Sequence, residues 1–299
     1  MKRPARRPLQ SQPSRFLHTP PMPPPNPKTL AVLPARFAST RFPGKPLAAD
    51  TGKPLIQHVV ERVREAKSVD RVVVATDDER ILHAVESFGA EAVMTGEHPN
   101  GTSRIAEAVD ALEAAGPDRF GVVLNVQGDE PEVPGDTIDA LVAGLLDRPD
   151  ADVATLASPF DPGEDPTNTN IVKLVADRRG FALYFSRSLV PFDRDAERLG
   201  RRPGMTDPAA ADAYPGWALP GPGPFKHPGL YAYRRPFLAT YASLPPAPLE
   251  ETEKLEQLRV LEHGFRIAVV LADAPHPGID TPEQYADFVQ RLLRRAPPR

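Results

Sequence analysis

Short apolar runs alternate with segments of helical periodicity through the first half of the chain. Residues 55–63, for example, carry apolar side chains at three- and four-residue spacing, which is typical of a helix packed on a sheet. Strands are predicted at 30–34, 71–76, 92–94 and 122–126, and helices at 55–63, 81–85, 102–114 and 137–146. This β-α-β-α order is typical of a parallel, doubly wound sheet with helices on both faces. The sequence therefore predicts an α/β fold and leaves the strand order open.

The second half has fewer helices between its predicted strands. Strands are predicted at 153–160, 171–175, 181–185, 230–233 and 267–271, and helices at 250–263 and 282–293. Consecutive strands without intervening helices are typical of antiparallel pairing. The pattern therefore predicts a smaller β-rich region beside the main sheet.

Proline is concentrated in two stretches, with nine residues in 1–28 and seven between Pro203 and Pro228. Proline lacks a backbone donor and restricts the residue before it, so neither stretch sustains a helix or a central strand. Residues 1–28 also carry six basic and no acidic side chains, without the apolar region of a secretory signal. We expect a disordered tail at 1–28, with targeting or binding as the alternative. A single domain is expected at 29–295, with an inserted proline-rich surface loop at about 196–225.

Composition excludes several classes of function. The 299 residues carry a net charge of −4, which gives no basic field for nucleic acid. There are no cysteines, so disulfides, thiolate metal sites and thiol nucleophiles are excluded, and a reducing compartment is expected. No apolar stretch approaches the roughly 20 residues of a membrane-spanning helix. We expect a cytoplasmic protein that binds neither nucleic acid nor membrane.

The loop after the first predicted strand is rich in fixed cations. It spans residues 34–46 and contains Arg36, Ser39, Arg41 and Lys45 together with a glycine turn. Cations, hydroxyls and a backbone that permits close approach are what a triphosphate needs. The loop is not a Walker A motif, because proline follows its Gly-Lys pair where that motif has Ser or Thr. From composition alone, a solvated basic loop is the alternative.

Two later loops each place an acid beside the end of a predicted element. Asp129 follows the strand at 122–126, and Asp280 precedes the last helix. Ligands of open α/β sheets bind beyond the carboxyl ends of the strands, so both acids are candidate magnesium ligands. Taken separately, each has a simpler explanation as a helix cap. Together with the basic loop they indicate metal-assisted nucleotidyl transfer, in which cations stabilise charge on phosphate.

Eight motifs occur in order between about residue 30 and residue 293. They are 34–46, 76–77, 101–104, 125–131, 184–187, 227–233, 255–259 and 278–282. Their combination resembles the 3-deoxy-manno-octulosonate (KDO) cytidylyltransferases, or CMP-KDO synthetases. The basic loop alone is less specific, since CMP-sialate synthetases and sugar pyrophosphorylases carry similar loops. The resemblance implies a Rossmann-like nucleotidyltransferase with a mostly parallel central sheet and a smaller β-rich region through which it forms a homodimer.

The resemblance also implies roles for individual residues. The CTP-binding set is Arg36, Ser39, Arg41, Lys45, Arg104 and Gln127, the magnesium ligands are Asp129 and Asp280, and the catalytic set is Arg36, Lys45, Asp129 and Asp280. The sugar-binding set is Arg187, His227, Tyr231, Glu256 and Gln257. Without the resemblance, His227 is a candidate core histidine, and one of Tyr231 and Tyr233 is expected to be core. Glu256 and Gln257 lie on a predicted charged helix, where a solvated face is the simpler interpretation.

The implied reaction transfers CMP from CTP to KDO and releases pyrophosphate, which activates the sugar for lipopolysaccharide or surface polysaccharide synthesis. The segment before His227 is longer and richer in proline than is usual in the family, so the identity of the sugar stays open. Ser103 also stands where the family often has an acid. The alternatives are a cytidylyltransferase for another acidic sugar, such as an amino-KDO or a nonulosonate, and an inactive nucleotide-binding protein.

Overall fold

The computed structural model describes residues 27–38, 41–161, 163–195, 218–219, 221, 223–272 and 278–295. The strands are β1 (Thr29–Ala35), β2 (Arg71–Thr76), β3 (Glu91–Met94), β4 (Val122–Asn125), β5 (Val153–Ala157), β6 (Lys173–Ala176), β7 (Ala182–Ser186), β8 (Phe225–Lys226), β9 (Tyr231–Arg234) and β10 (Ile267–Leu271). The helices are α1 (Leu55–Val63), α2 (Glu79–Ser87), α3 (Gly101–Ala115), α4 (Gly135–Leu146), α5 (Arg235–Ser243), α6 (Pro248–Glu253), α7 (Gln257–Glu262) and α8 (Pro282–Arg295), with a short 3-10 helix at Lys45–Leu47.

Seven strands form the central sheet in the order β10-β5-β9-β4-β1-β2-β3. Every neighbouring pair is parallel except those of β9, which runs antiparallel to both β4 and β5. The first residue of β9, Tyr231, is therefore paired with Asn125 at the end of β4 and with Thr155 on β5. The reversed strand thus brings its amino-terminal end to the edge where ligands of α/β sheets bind.

Both faces of this sheet are buried, which explains why its strands are continuously apolar. On β1, Leu30 and Val32 belong to one core while Ala31 and Leu33 belong to the other, and all four are completely buried. Helix α3 covers the first face, and α1 and α4 cover the second. The helices therefore lie on both faces, as predicted.

A second, antiparallel sheet of three strands has the order β7-β6-β8. It is joined to the large sheet by a bridge between Ser158, just after β5, and Lys226 on β8. The predicted fold class, a mostly parallel sheet with a smaller β-rich region, is confirmed.

The predicted elements agree best where burial is greatest. The strands at 71–76 and 267–271 have the predicted bounds, and α1, α3 and α4 begin and end within two residues of theirs. The single helix predicted at 250–263 is wrong, because the chain forms α6 and α7 with a break between them. Lys254 ends α6 in the left-handed conformation, with φ 57°, which an α-helix does not accommodate.

The predicted tail at 1–28 and the loop at about 196–225 lie mostly outside the described residues, and these boundaries, like the single domain at 29–295, stay predictions. Within the described part of the chain, no helix is both long enough and apolar enough to cross a membrane.

Candidate active site

The basic loop after β1 has a defined conformation. Gly44 adopts φ 70°, and its N–H donates to the carbonyl oxygen of Phe37 at 3.0 Å, which closes the loop. A Cβ atom at Gly44 would lie 3.2 Å from the Phe37 ring, so the turn favours glycine on two grounds. The Arg80 guanidinium lies over the same ring, 3.3 Å from its centroid. The loop is therefore not simply a solvated basic segment. Ser39, which was also predicted to bind the nucleotide, lies outside the described residues.

Lys45 is the centre of this edge of the sheet. Its Nζ lies 2.7 Å from Asp129 Oδ2, 2.7 Å from the carbonyl oxygen of Ile279 and 3.6 Å from Asp280 Oδ1. The N–H of Ile279 donates to the carbonyl oxygen of Asp129 at 2.9 Å, which fixes the segment before α8 against the loop after β4. Two carboxylates from distant parts of the chain therefore approach one cation.

Asp280 is not the cap of α8, because Thr281 has that role. The Gln284 N–H donates to Thr281 Oγ1 at 3.3 Å, and the Gln284 side-chain oxygen accepts from the N–H groups of Thr281 at 3.0 Å and Asp280 at 2.7 Å. This reciprocal arrangement is a capping box. The Asp280 carboxylate instead lies 2.9 Å from Arg41 and faces Lys45. The explanation of Asp280 as a cap is therefore wrong.

Glu130 is an acid of this edge that the sequence analysis did not select. Burial, followed by the charges of Asp129 and Asp280, holds the pKa of Glu130 well above its usual range, and Lys45 only partly opposes this effect. A Cβ atom at position 278 would lie 2.9 Å from Glu130 Oε1, so Gly278 gives the carboxyl its space. The sequence contained one indication that Glu130 belongs to this edge, because Glu130 follows Asp129 directly. Three carboxyl groups therefore lie at one edge together with Lys45 and Arg41.

Asp129 and Asp280 suit a divalent cation. Both approach the Lys45 ammonium, so a cation at the position of that ammonium would face both carboxylates. Magnesium takes oxygen ligands and commonly combines one or two carboxylates with substrate phosphates and water. Among the residues that the structure describes, no group of three or more His, Asp or Glu side chains is arranged to hold a metal. With these two carboxylates, water and substrate phosphates would complete the coordination of such an ion.

The remaining predicted nucleotide residues lie around this centre. Arg36 follows β1 directly and is partly exposed. After β4, Gln127 donates from Nε2 to Asn125 Oδ1 at 3.1 Å. Arg104 is completely buried below the ends of β2 and β3, where it donates to Asp77 and, at 2.6 Å, to Thr95. Its Nε has no hydrogen-bond partner among the described residues, so a buried donor remains there.

His227 is the centre of a second cluster, built on β5, β9 and α7. Its Nε2 lies 2.9 Å from Thr155 Oγ1, and the Thr155 hydroxyl donates to the carbonyl oxygen of Leu230 at 2.7 Å. Because a carbonyl only accepts, the Thr155 oxygen must accept from His227 Nε2–H. This leaves Nδ1 as the acceptor for the Gln257 amide at 3.5 Å. The hydrogen bonds thus select one neutral tautomer of His227. Thr155 was not predicted as a site residue, because a threonine in an apolar strand does not stand out in the sequence.

Burial keeps this histidine neutral. Desolvation lowers the pKa of His227 from 6.5 to about 3. The ring lies edge-on to Phe185 at 4.8 Å and to Tyr231 at 5.3 Å between ring centroids. His227 therefore has the contacts of a packed histidine and also directed polar groups.

Tyr231 and Tyr233 are both buried, although only one of them was expected to belong to the core. Residues two apart on a strand share a face, and the two rings stack with centroids 5.8 Å apart. Burial raises the pKa of each phenol. The Tyr233 hydroxyl lies 3.3 Å from Thr102 Oγ1 on α3. The pair thus connects the His227 cluster to the start of α3.

Glu256 and Gln257 do not lie on a solvated face. Gln257 is buried against His227, and Glu256 is partly buried. The Glu256 carboxylate accepts from the N–H groups of Gly101 at 3.3 Å and Thr102 at 3.4 Å, and from the Thr102 hydroxyl at 2.9 Å. A carboxylate at a helix amino terminus is favourable because the free N–H groups and the helix dipole are positive there. The solvated-face interpretation is wrong for both residues.

Arg187 lies after β7 and is held by backbone carbonyls. Its Nε donates to Glu253 at 3.0 Å and its Nη1 to Thr169 at 3.3 Å. Lys173 is completely buried beneath it and donates to the carbonyls of Asn168, Ile171 and Arg187. No sequence motif singled out this lysine. Among the described residues, no hydrogen bond or ion pair joins Arg187 to the His227 cluster, so the structure does not bring these two predicted sugar-binding groups into direct contact.

Comparison with known proteins relates this chain to named enzymes. A family model described as cytidylyltransferase matches residues 30–267. The chain is 46 % identical over 258 residues to the 3-deoxy-manno-octulosonate cytidylyltransferase of Thermodesulfovibrio yellowstonii, which covers 85 % of this chain and 94 % of that protein. It is 48 % identical over 263 residues to the enzyme of the same name from Pelobacter propionicus, with coverage of 88 % and 96 %.

The fold gives the same result. A solved structure of CMP:2-keto-3-deoxy-manno-octonic acid synthetase complexed with CTP matches with a TM-score of 0.76 and 36 % identity, over 90 % of this chain and 100 % of that one. The resemblance carried by the eight motifs is thereby confirmed. The chain belongs to the cytidylyltransferase family and, within it, to the 3-deoxy-manno-octulosonate cytidylyltransferases.

Proposed function

We propose that this chain transfers CMP from CTP to 3-deoxy-manno-octulosonate at the carboxyl edge of the central sheet. The observation that carries the proposal is the convergence of Asp129 and Asp280 on Lys45. The His227 cluster lies at the same edge, because β9 places Tyr231 beside Asn125 at the end of β4. The charged group around Lys45 and the neutral group around His227 are therefore neighbours. A reaction between two different substrates requires two such neighbouring binding sites.

The nucleotide phosphates would lie over the basic loop. Arg36, Arg41 and Lys45 supply fixed positive charge, and Gln127 supplies an amide at the end of the adjacent strand. Ser39 belongs to the proposed set by resemblance. Arg104 is buried below these groups and acts on the nucleotide from the start of α3. Such fixed charges lower the barrier by stabilising the charge that develops on phosphate.

Asp129 and Asp280 would hold magnesium. Bound there, the ion would neutralise charge on the phosphate oxygens and orient the pyrophosphate leaving group. In the structure Lys45 lies between the two carboxylates, 2.7 Å and 3.6 Å away, and limits their repulsion. When magnesium and CTP are both bound, Lys45 would be free to move toward the nucleotide phosphates.

The sugar acid would bind at the second cluster. His227, Tyr231 and Gln257 provide directed polar groups inside an aromatic wall. Glu256 supports this wall through its bonds to the start of α3, and Arg187 supplies a cation for the sugar carboxylate from the small sheet. The anomeric hydroxyl then attacks the α-phosphate, forming the new oxygen–phosphorus bond while the bond to the pyrophosphate oxygen breaks and the hydroxyl proton passes to solvent. Catalysis is by orientation and charge stabilisation.

The experiment is a pyrophosphate-release assay with CTP, magnesium and each candidate sugar acid. The proposal predicts release with 3-deoxy-manno-octulosonate well above that with an amino-KDO or a nonulosonate. Preference for one of the other sugars would support that alternative, and release with none would support an inactive nucleotide-binding protein. Omission of magnesium should abolish the release.

We also propose a homodimer and a supply of activated sugar for lipopolysaccharide or surface polysaccharide. The small sheet is the candidate interface, since Leu183 on its outer strand β7 is 60 % exposed. Sedimentation of the wild-type chain and of Leu183→Asp tests this, with dissociation expected only in the variant.

A further inference from the structure

The terminal helix α8 packs on the nucleotide site through a small core of its own. Leu55, Ile279, Tyr285 and Phe288 are buried together, apart from the two cores that flank the central sheet. Phe42 of the basic loop lies against this group, with its ring centroid 5.7 Å from that of Tyr285. The position of α8 is therefore defined by side chains that also support the basic loop.

Gln284 joins this helix directly to Asp280. Its side-chain oxygen accepts from the Asp280 N–H at 2.7 Å and from the Thr281 N–H at 3.0 Å. The backbone on both sides of the Asp280 side chain is thus held, since the N–H of Ile279 is also bound to the Asp129 carbonyl. Gln284 consequently restricts the direction in which the Asp280 carboxylate points.

Tyr285 joins the same helix to the chain after the basic loop. Its hydroxyl accepts from the Asp50 N–H at 2.9 Å, and its ring is almost completely buried. The far end of α8 is fixed as well, because Arg291 donates to Glu132 at 2.6 and 3.0 Å. The helix is therefore bound both to the segment that carries Lys45 and to the segment that carries Asp129.

We propose that Gln284 and Tyr285 are positioning residues that hold Asp280 where it shares one cation with Asp129. Neither side chain lies within hydrogen-bond distance of the other proposed ligand, so each acts through the placement of Asp280. Helix α8 then sets the affinity for metal-bound CTP and leaves the affinity for the sugar unchanged. This inference rests on the proposed function, in which Asp280 is a metal ligand.

The test compares Gln284→Leu with Gln290→Leu, the same substitution at an exposed position of the same helix. Binding of CTP with magnesium is measured by calorimetry without sugar, so that no turnover is needed. Gln284→Leu removes an acceptor from two N–H groups and should weaken this binding about tenfold, while Gln290→Leu should not change it. The KM for CTP should rise in parallel, with the KM for the sugar unchanged.

Tyr285→Phe provides a second test that removes a single oxygen. It should weaken binding of metal-bound CTP about threefold, with a melting temperature close to that of the wild type. If both variants bind metal-bound CTP normally, or if they alter the constants for CTP and sugar equally, the inference is overturned.

Asp280→Asn in the same calorimetric assay separates this inference from the proposed function. If Asp280→Asn binds metal-bound CTP normally, the proposed metal site is wrong. If Asp280→Asn weakens binding while Gln284→Leu and Tyr285→Phe do not, the metal site stands and only the positioning role is wrong.

Discussion

The two parts of the site lie at one edge of one sheet but are built from different interactions. Around Lys45 the contacts are ionic and partly open to solvent, since the Asp280 side chain is 43 % exposed and its partner Arg41 is 61 % exposed. Around His227 the contacts are neutral and enclosed, and the bond to Thr155 has one fixed direction. We therefore expect the first part to rearrange when a nucleotide binds and the second to keep its shape.

This difference predicts different consequences of substitution. Exposed ion pairs contribute only about 0–1 kcal/mol to stability, so changes in the ionic part should affect turnover more than folding. A buried hydrogen-bonding group that loses its partner costs about 1–3 kcal/mol, so changes in the neutral part should affect both. Turnover and stability therefore distinguish substitutions in the two parts.

The largest effect is expected for Lys45→Met. It removes the cation between Asp129 and Asp280, and a fixed donor of this kind is worth about a hundredfold or more in kcat. Lys53→Met is the matched control, because Lys53 also stands in a Gly-Lys-Pro sequence but pairs with exposed Glu61. Steady-state kinetics of both variants measure the difference. Equal activity in the two would remove Lys45 from the site.

His227→Ala should act on the sugar. Loss of its bonds to Thr155 and Gln257 should raise the KM for the sugar acid about ten- to hundredfold, if KM tracks binding. The KM for CTP should change little. The melting temperature should fall as well, because the ring packs against Phe185 and Tyr231. A fall in melting temperature with both KM values unchanged would make His227 a core residue only.

Thr155→Val tests the contribution of this hydroxyl. Valine keeps the shape of threonine but leaves His227 Nε2–H without its acceptor, which should cost about 1–3 kcal/mol of unfolding free energy. Thr155→Ser keeps the hydroxyl and should retain most of that stability. Urea unfolding of the three proteins gives the comparison. If Val and Ser are equally stable, the Thr155 hydroxyl does not stabilise the His227 cluster.

A change of pH should affect stability through His227. The pKa of His227 is about 3 in the folded protein against 6.5 for the free group, so protons bind the unfolded chain preferentially between these values. Its contribution to stability is therefore complete above about pH 6.5 and is lost as the pH falls toward 3. His227→Gln should show a shallower loss of stability between pH 6.5 and 4 in urea unfolding. Parallel curves would show that His227 titrates normally.

The sequence predicted those features that depend on local pattern. Strand β2 was predicted with its observed bounds because a β-branched run buried on both faces has a clear signature. The break at Lys254 could not be predicted, since a left-handed lysine follows from tertiary packing and not from its own preference. The antiparallel direction of β9 could not be predicted either, because a run of apolar residues does not indicate the direction of its strand.

For the site too, features that depend on local sequence pattern were predicted, and features that depend on tertiary contacts were not. Asp129 and Asp280 were predicted because both stand in motifs beside the ends of elements, although Asp280 had the alternative of a helix cap. That alternative was removed only by the contacts of Thr281 and Gln284. Thr155 could not be found, because its role depends on which residue β9 places opposite it.

Asp129 and Asp280 are proposed to serve one metal, and turnover of Asp280→Asn, alone and combined with Asp129→Asn, tests this directly. Asparagine keeps the size of the side chain and removes its charge. Loss of a metal ligand should lower kcat about a hundredfold or more, while the melting temperature changes little because Thr281 caps the helix. The double variant should be little worse than either single one, since both serve one ion. Near-normal turnover in Asp280→Asn, or losses in the double variant that multiply, would contradict the shared metal site.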